Sequence, residues 1–145
     1  YDIMAKDVII EIKESYIKDK NVYHKVKNLY ELGFVVILDE YSNNSSSLTY
    51  LADLKVDVLK LSESLLDDVN SSQQYKSLKS VYSFFVDISK EFDLSVVSAG
   101  INTKKDIHFV RNLGVNIATG DYFSRAVVKQ EFIDYLKKNK KRNFR

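Results

Sequence analysis

Residues Val35 to Ser62 read VVILDEYSNNSSSLTYLADLKVDVLKLS, and this stretch holds two apolar runs that each carry charge at or near the end. Asp39 and Glu40 follow Val35-Val36-Ile37-Leu38, and Lys60 sits inside Val58-Leu59-Lys60-Leu61. Runs this short, bounded by polar turn-forming residues, have the length of buried strands rather than of helices. In a parallel α/β protein, polar residues at the carboxyl ends of strands face the place where chemistry is done. The stretch therefore predicts both a fold class and a candidate site.

The pattern repeats outward from there. Val8 to Ile12, Phe34 to Asp39, Val56 to Leu61, Leu94 to Ser98 and Val115 to Ala118 are five runs of strand length. Helical patterns separate most of them: Val22, Val26, Leu29 and Leu32 share one face, as do Leu78, Val81, Phe85, Ile88 and Phe92. Thr103 with Asp106 has the spacing of a capping box ahead of Ile107, Val110 and Leu113. Glycine stops the helix in both Glu31-Leu32-Gly33 and Asn112-Leu113-Gly114. The other two glycines of the chain, Gly100 and Gly120, fall just after strands, where the backbone turns or another group approaches closely.

Strands alternating with helices predict a parallel sheet with right-handed crossovers. A closed barrel of this kind needs eight strands and about 250 residues. Five strands in 145 residues predict either an open sheet or the C-terminal part of a barrel.

Composition narrows the classes. Hydrophobic residues make up 45% of the chain, enough for one core, and there is no cysteine for a disulfide scaffold or a zinc-thiolate site. No apolar run approaches membrane-spanning length and no signal peptide is visible, so a cytoplasmic domain without membrane contact is the expectation. The start at Tyr1, directly before structured sequence, suggests a piece of a longer protein. The net charge of +2 is uneven, because Lys137 to Arg145, KKNKKRNFR, holds six basic residues and no acid. We read residues 1–136 as the domain and 137–145 as a basic tail that complements a helix dipole, with no nucleic acid polymer as partner.

The chemistry-bearing residues line up across the first three strands. Glu11 lies in the first with Glu14 just beyond it, Asp39 and Glu40 close the second, and Lys60 lies in the third. Carboxylates converging from neighbouring strand ends suit a hard cation such as Mg²⁺ or Mn²⁺, and a lysine beside them orients water or neutralises developing charge. The same residues also read as helix caps, solvated loop acids, or an ion-pair cluster in which Glu11 and Asp39 accept from Lys60 or Lys13 without any metal. A lysine in an apolar strand needs a partner in either case. His24 and His108 read as surface residues, and Phe123 and Tyr122 as core aromatics.

In order and spacing, nearly the whole chain resembles the EAL domains that hydrolyse the bacterial messenger cyclic di-GMP. Glu11-Ile12-Lys13-Glu14 is similar to that family's E-x-T-E, and Asp39-Glu40-Tyr41-Ser42 to its D-D-F-G loop. Ser46-Ser47-Leu48-Thr49-Tyr50-Leu51 matches S-S-L-S-Y-L, and Val56 to Ser62 matches V-D-x-L-K-I-D. Val96 to Thr103 stands where the family has V-V-A-E-G-V-E-T, and Ala118 to Arg125 where it has V-Q-G-Y-x-F-S-R. The resemblance implies α/β architecture, with the five units as the C-terminal portion of a TIM-type barrel. It implies metal ligation by Glu11 and Asp39, with Glu40 at the second acid of the pair. It further implies water positioning by Lys60, and a loop held by Glu14.

The departures from the family pattern point away from chemistry. Glu40 adds a methylene to the second acid, Ser42 replaces the loop glycine, and Asn43, Asn44 and Ser45 replace T-G-Y. Ala99 replaces a glutamate, Thr119 a glutamine, Ala126 a proline and Lys13 a threonine. The family's own E-A-L segment would precede Tyr1. The expectation is a degenerate, catalytically inactive EAL-type module for a protein partner or homodimer, with Lys60 and Glu14 in vestigial roles and no cofactor. The other readings are a cyclic di-GMP receptor without turnover, and an active phosphodiesterase that would require Mg²⁺ or Mn²⁺.

Overall fold

In the computed structural model of the chain, which describes residues 2–42, 49–67 and 72–139, the apolar runs form five strands. They are β1 (Ile9–Lys13), β2 (Val35–Tyr41), β3 (Val58–Leu61), β4 (Ser95–Ser98) and β5 (Ile117–Ala118). Every neighbouring pair is parallel, and the order across the sheet is the order along the chain. Parallel neighbours need crossovers. α1 (Lys20–Glu31) joins β1 to β2, α2 (Thr49–Asp53) joins β2 to β3, α3 (Ser64–Asp67) and α4 (Ser72–Glu91) join β3 to β4, and α5 (Lys104–Asn112) joins β4 to β5. α6 (Lys129–Asn139) follows β5. The α/β class with five parallel strands is thus the architecture expected from the sequence.

One face of the sheet packs on the helices. Val36, Leu38, Tyr41, Leu59 and Leu61 of β2 and β3 are buried in one cluster with Val26 of α1, Tyr82 and Phe85 of α4, and Phe109 and Val110 of α5. Burying an aliphatic or aromatic side chain of this size contributes about 1.5–3 kcal/mol, which makes this face the main stabiliser of the sheet. Ile37 and Val97 are buried too but stand outside that cluster, because strand side chains alternate and theirs point to the opposite, concave face.

Two residues expected on buried helix faces lie instead at the surface. Leu32 is 68% exposed because α1 ends at Glu31 and Leu32 is its C-cap, with its N–H on the Asn28 carbonyl. Phe92, just past α4, is 38% exposed. The aromatic that the pattern passed over is Tyr82, fully buried with its hydroxyl 2.9 Å from Ser98 Oγ. Burial pushes the Tyr82 phenol up to about 12, against a smaller opposing effect of the Ser98 bond.

Local polar contacts set the strand ends. Thr103 Oγ1 accepts from the Asp106 N–H, and Asp106 Oδ2 accepts from the Thr103 N–H at 2.8 Å, which is the expected capping box. At the other end of the sheet, Asp57 Oδ2 accepts from the Val36 N–H at 2.7 Å, while its backbone bonds to Val36 and Ser95. One residue thereby ties β2, β3 and β4 together. The segment Asn43 to Leu48, where Asn43, Asn44 and Ser45 depart from the family loop, lies outside the described residues, as do residues 140–145 of the expected basic tail 137–145, whose first three residues continue α6. Among the described residues, no helix is long and apolar enough to cross a membrane.

Candidate active site

The carboxyl ends of β1, β2 and β3 carry the charged group. Lys13 pairs with Asp39 across β1 and β2, so the acidic end of β2 stands beside the end of β1. Glu11 and Lys13 share the concave face of β1, two residues apart, and Lys60 extends from the same face of β3. Its ammonium reaches past β2 to Glu11 Oε2 at 2.8 Å and meets Asp39 Oδ2 at 3.4 Å. The structure thus brings Glu11, Asp39 and Lys60 together. Burial works to lower the Lys60 pKa, but the Glu11 hydrogen bond and the Asp39 and Glu11 charges outweigh it and hold the ammonium above the ordinary lysine value.

Glu40 does not join that group. Its backbone sits at φ +57°, in the left-handed region, and the pairing of β2 with β3 shifts register between Leu38 and Tyr41. This irregularity restores Tyr41 to the helix-packed face, where it is 4% exposed and meets Phe85 edge-on at 5.4 Å. The Glu40 carboxylate is carried out to Lys13, 2.6 Å away, and this contact raises the Lys13 pKa. The strained position is therefore Glu40. Ser42, which stands where the family pattern has the loop glycine, has no positive φ.

Glu14 is 6% exposed, in a 3-10 turn directly after β1. Burial first, and the Glu14 charge second, push the Tyr41 phenol up, which places the Glu14 carboxylate close to the end of β2 where the following loop begins. His24 and His108 are exposed, and Phe123 packs against the core while Tyr122 is 39% exposed.

The β4 and β5 ends are different in kind. Ala99 follows β4 and Thr119 follows β5, and neither offers a carboxylate. The glycines next to them are held by contact: a Cβ on Gly100 would come within 2.5 Å of Glu63 Cβ, and one on Gly120 within 2.3 Å of the Ile101 carbonyl oxygen. Beyond β5, a cavity of about 470 Å³ is lined by Ile107, Val110, Val115, Ile117, Ala118 and Phe123, with Arg111 as its one charged wall residue. It lies at the opposite edge of the sheet from the carboxylates.

Whether these donors fit a divalent cation can be judged oxygen by oxygen. Asp39 Oδ1 accepts from the Glu40 N–H at 2.8 Å and Oδ2 faces Lys60, Glu11 Oε2 holds the Lys60 ammonium, and Glu40 Oε1 is on Lys13. Among the described residues, no three acids or histidines converge in a way that could hold a metal ion. As folded, the chain's own donors do not fit such an ion.

The EAL domain family model matches residues 1–126. Probable cyclic di-GMP phosphodiesterase PdeB of Escherichia coli strain K12 is 29% identical over 140 residues, covering 96% of this chain and 26% of that protein. The chain thus spans about a quarter of the length of this relative. Among solved structures, the cGMP-bound form of the EAL enzyme Bd1971 aligns with a TM-score of 0.83 at 22% identity, over 94% of this chain and 36% of that one. The manganese and cyclic di-GMP complex of Klebsiella pneumoniae BlrP1 aligns at 0.75 and 21% identity, over 85% of this chain and 31% of that one. At these identities the structural likeness speaks for the fold, a portion of the barrel found in EAL domains.

Proposed function

The chain belongs to the EAL domain family, and from that premise we propose that it is a catalytically lapsed EAL-type domain serving as an interaction or regulatory module in cyclic di-GMP signalling. The observation that carries this reading is the way the three acids are used. Glu11 and Asp39 accept from Lys60, Glu40 accepts from Lys13, and Ala99 supplies nothing at the end of β4. Metal-assisted hydrolysis of a phosphodiester requires carboxylates free to hold the ion that activates water. Here Lys60 and Glu14 keep their places as structural groups: one as the hub of the ion-pair cluster, the other as a buried anchor beside Tyr41.

A role in docking is supported by α6 and the residue before it. Val128, Phe132 and Leu136 recur every fourth position and are 67%, 52% and 47% exposed, an apolar stripe suited to a protein partner or a second copy of the domain. A second reading, a cyclic di-GMP receptor without turnover, is favoured by the survival of Glu11, Asp39 and Lys60 as one group.

Calorimetric titration of the intact protein with cyclic di-GMP, with and without Mn²⁺, followed by chromatography for the linear dinucleotide, tests the proposal. Neither heat of binding nor product is expected. Saturable binding without product moves the assignment to the receptor, and product at enzyme-like rates overturns both.

A further inference from the structure

We propose that Lys13 and Lys60 are resident counter-cations, so that the carboxylate group at the ends of β1 and β2 is neutralised from within and takes up no divalent ion. This goes further than the proposed function, since a domain can lose turnover and still bind metal. Each of the three acids already has an ammonium at 2.6 to 3.4 Å. A hard cation bridging Glu11 and Asp39 would need oxygens at about 2.0–2.1 Å around the point that Lys60 now serves. Lys60 has little room to leave, because its side chain is only 18% exposed, and a lysine stripped of its partners in such surroundings is strongly disfavoured.

Glu40 is tied back by the fold itself. Returning its carboxylate to Asp39 would mean undoing the φ +57° turn, and with it the register shift that seats Tyr41 against Phe85 in the core. Lys13 then completes the arrangement. It occupies the same face as Glu11, where the family motif has an uncharged threonine, and meets the one acid that Lys60 does not reach. Two ammonium groups thus stand in for the charge that a metal would bring.

The test is titration of the intact protein with MnCl₂ alone, read by calorimetry and by the loss of the free Mn²⁺ paramagnetic resonance signal. The wild type is expected to show no saturable uptake below about 1 mM, and the Lys13→Met/Lys60→Met double variant to bind at least about tenfold more tightly. Should the double variant lack a cooperative melt, Lys13→Met alone decides, since it changes a half-exposed side chain; a several-fold gain is expected. Stoichiometric Mn²⁺ binding by the wild type at micromolar concentration overturns the inference, as does a folded variant with no gain. Metal bound without linear product would sink this inference and leave the proposed function standing, whereas linear product formed in excess chelator would do the reverse.

Discussion

The carboxyl ends of β1 to β3 and those of β4 and β5 belong to one sheet but have kept different things. The first region keeps its charged side chains, Glu11, Asp39 and Lys60, in mutual contact. The second keeps its backbone: Gly100 and Gly120 remain where a side chain would collide with Glu63 and Ile101, while their neighbours are Ala99 and Thr119. Positions fixed by steric contact are held by the fold whether or not any chemistry is done. Ala99 and Thr119 offer no carboxylate. In the first region the charged groups satisfy one another.

The sharpest way to break this contrast is at Gly120. A Cβ there meets backbone atoms of Ile101 at 2.3 and 2.4 Å, and φ is +153°, so Gly120→Ala is expected to cost on the order of 3 kcal/mol or more. Urea unfolding measures it, and a loss below about 1 kcal/mol would show that the contact does not hold the glycine in place.

Next comes the alkaline limb of stability. The Tyr82 phenol is raised from 10.0 to about 12 in the fold, so its contribution is fully present below pH 10 and is lost as pH rises toward 12. The loss across that window is on the order of 2–3 kcal/mol. Tyrosinate absorbance should show late titration by Tyr82 and Tyr41, and Tyr82→Phe should remove the Tyr82 part of it. At neutral pH the same variant leaves the buried Ser98 hydroxyl without its partner and should cost about 1–2 kcal/mol in a denaturant melt.

Ala99→Glu bears on the opposite side of the comparison. It places an acid just beyond β4 at a half-buried position and should cost about 1 kcal/mol. On the proposed function, this variant is expected to form no linear dinucleotide from cyclic di-GMP, because Glu11 and Asp39 remain on Lys60. Smallest of all is Lys13→Met, which is expected to leave the denaturant midpoint unchanged, since Lys13 and Glu40 are each half-exposed. A large effect there would give the pair a structural weight that exposed ion pairs rarely carry.

Much of this was legible from residues alone, for identifiable reasons. The strands could be read because β-branched runs such as Val35-Val36-Ile37 are short and cleanly bounded, and the capping box because its two partners are three residues apart. Lys60 announced its need for partners by standing in an apolar strand. The turn at Glu40 was not legible. It depends on where Tyr41 can pack against α4, a tertiary demand that no local pattern records. Tyr82 and Ser98 escaped notice likewise, as each is ordinary in its own segment and the pair exists only across 16 residues. The tie made by Asp57 to Val36, 21 residues away, is of the same kind.

Because each strand from β2 onward hydrogen-bonds to its immediate predecessor and, among the described residues, no strand is inserted between two earlier ones, the sheet can be laid down in the order of synthesis. A nascent chain leaving the ribosome would meet, at every crossover, an edge already waiting to be extended. Assembly in this order asks only for loop closures of one β-α-β unit at a time, which favours folding during translation over folding after release.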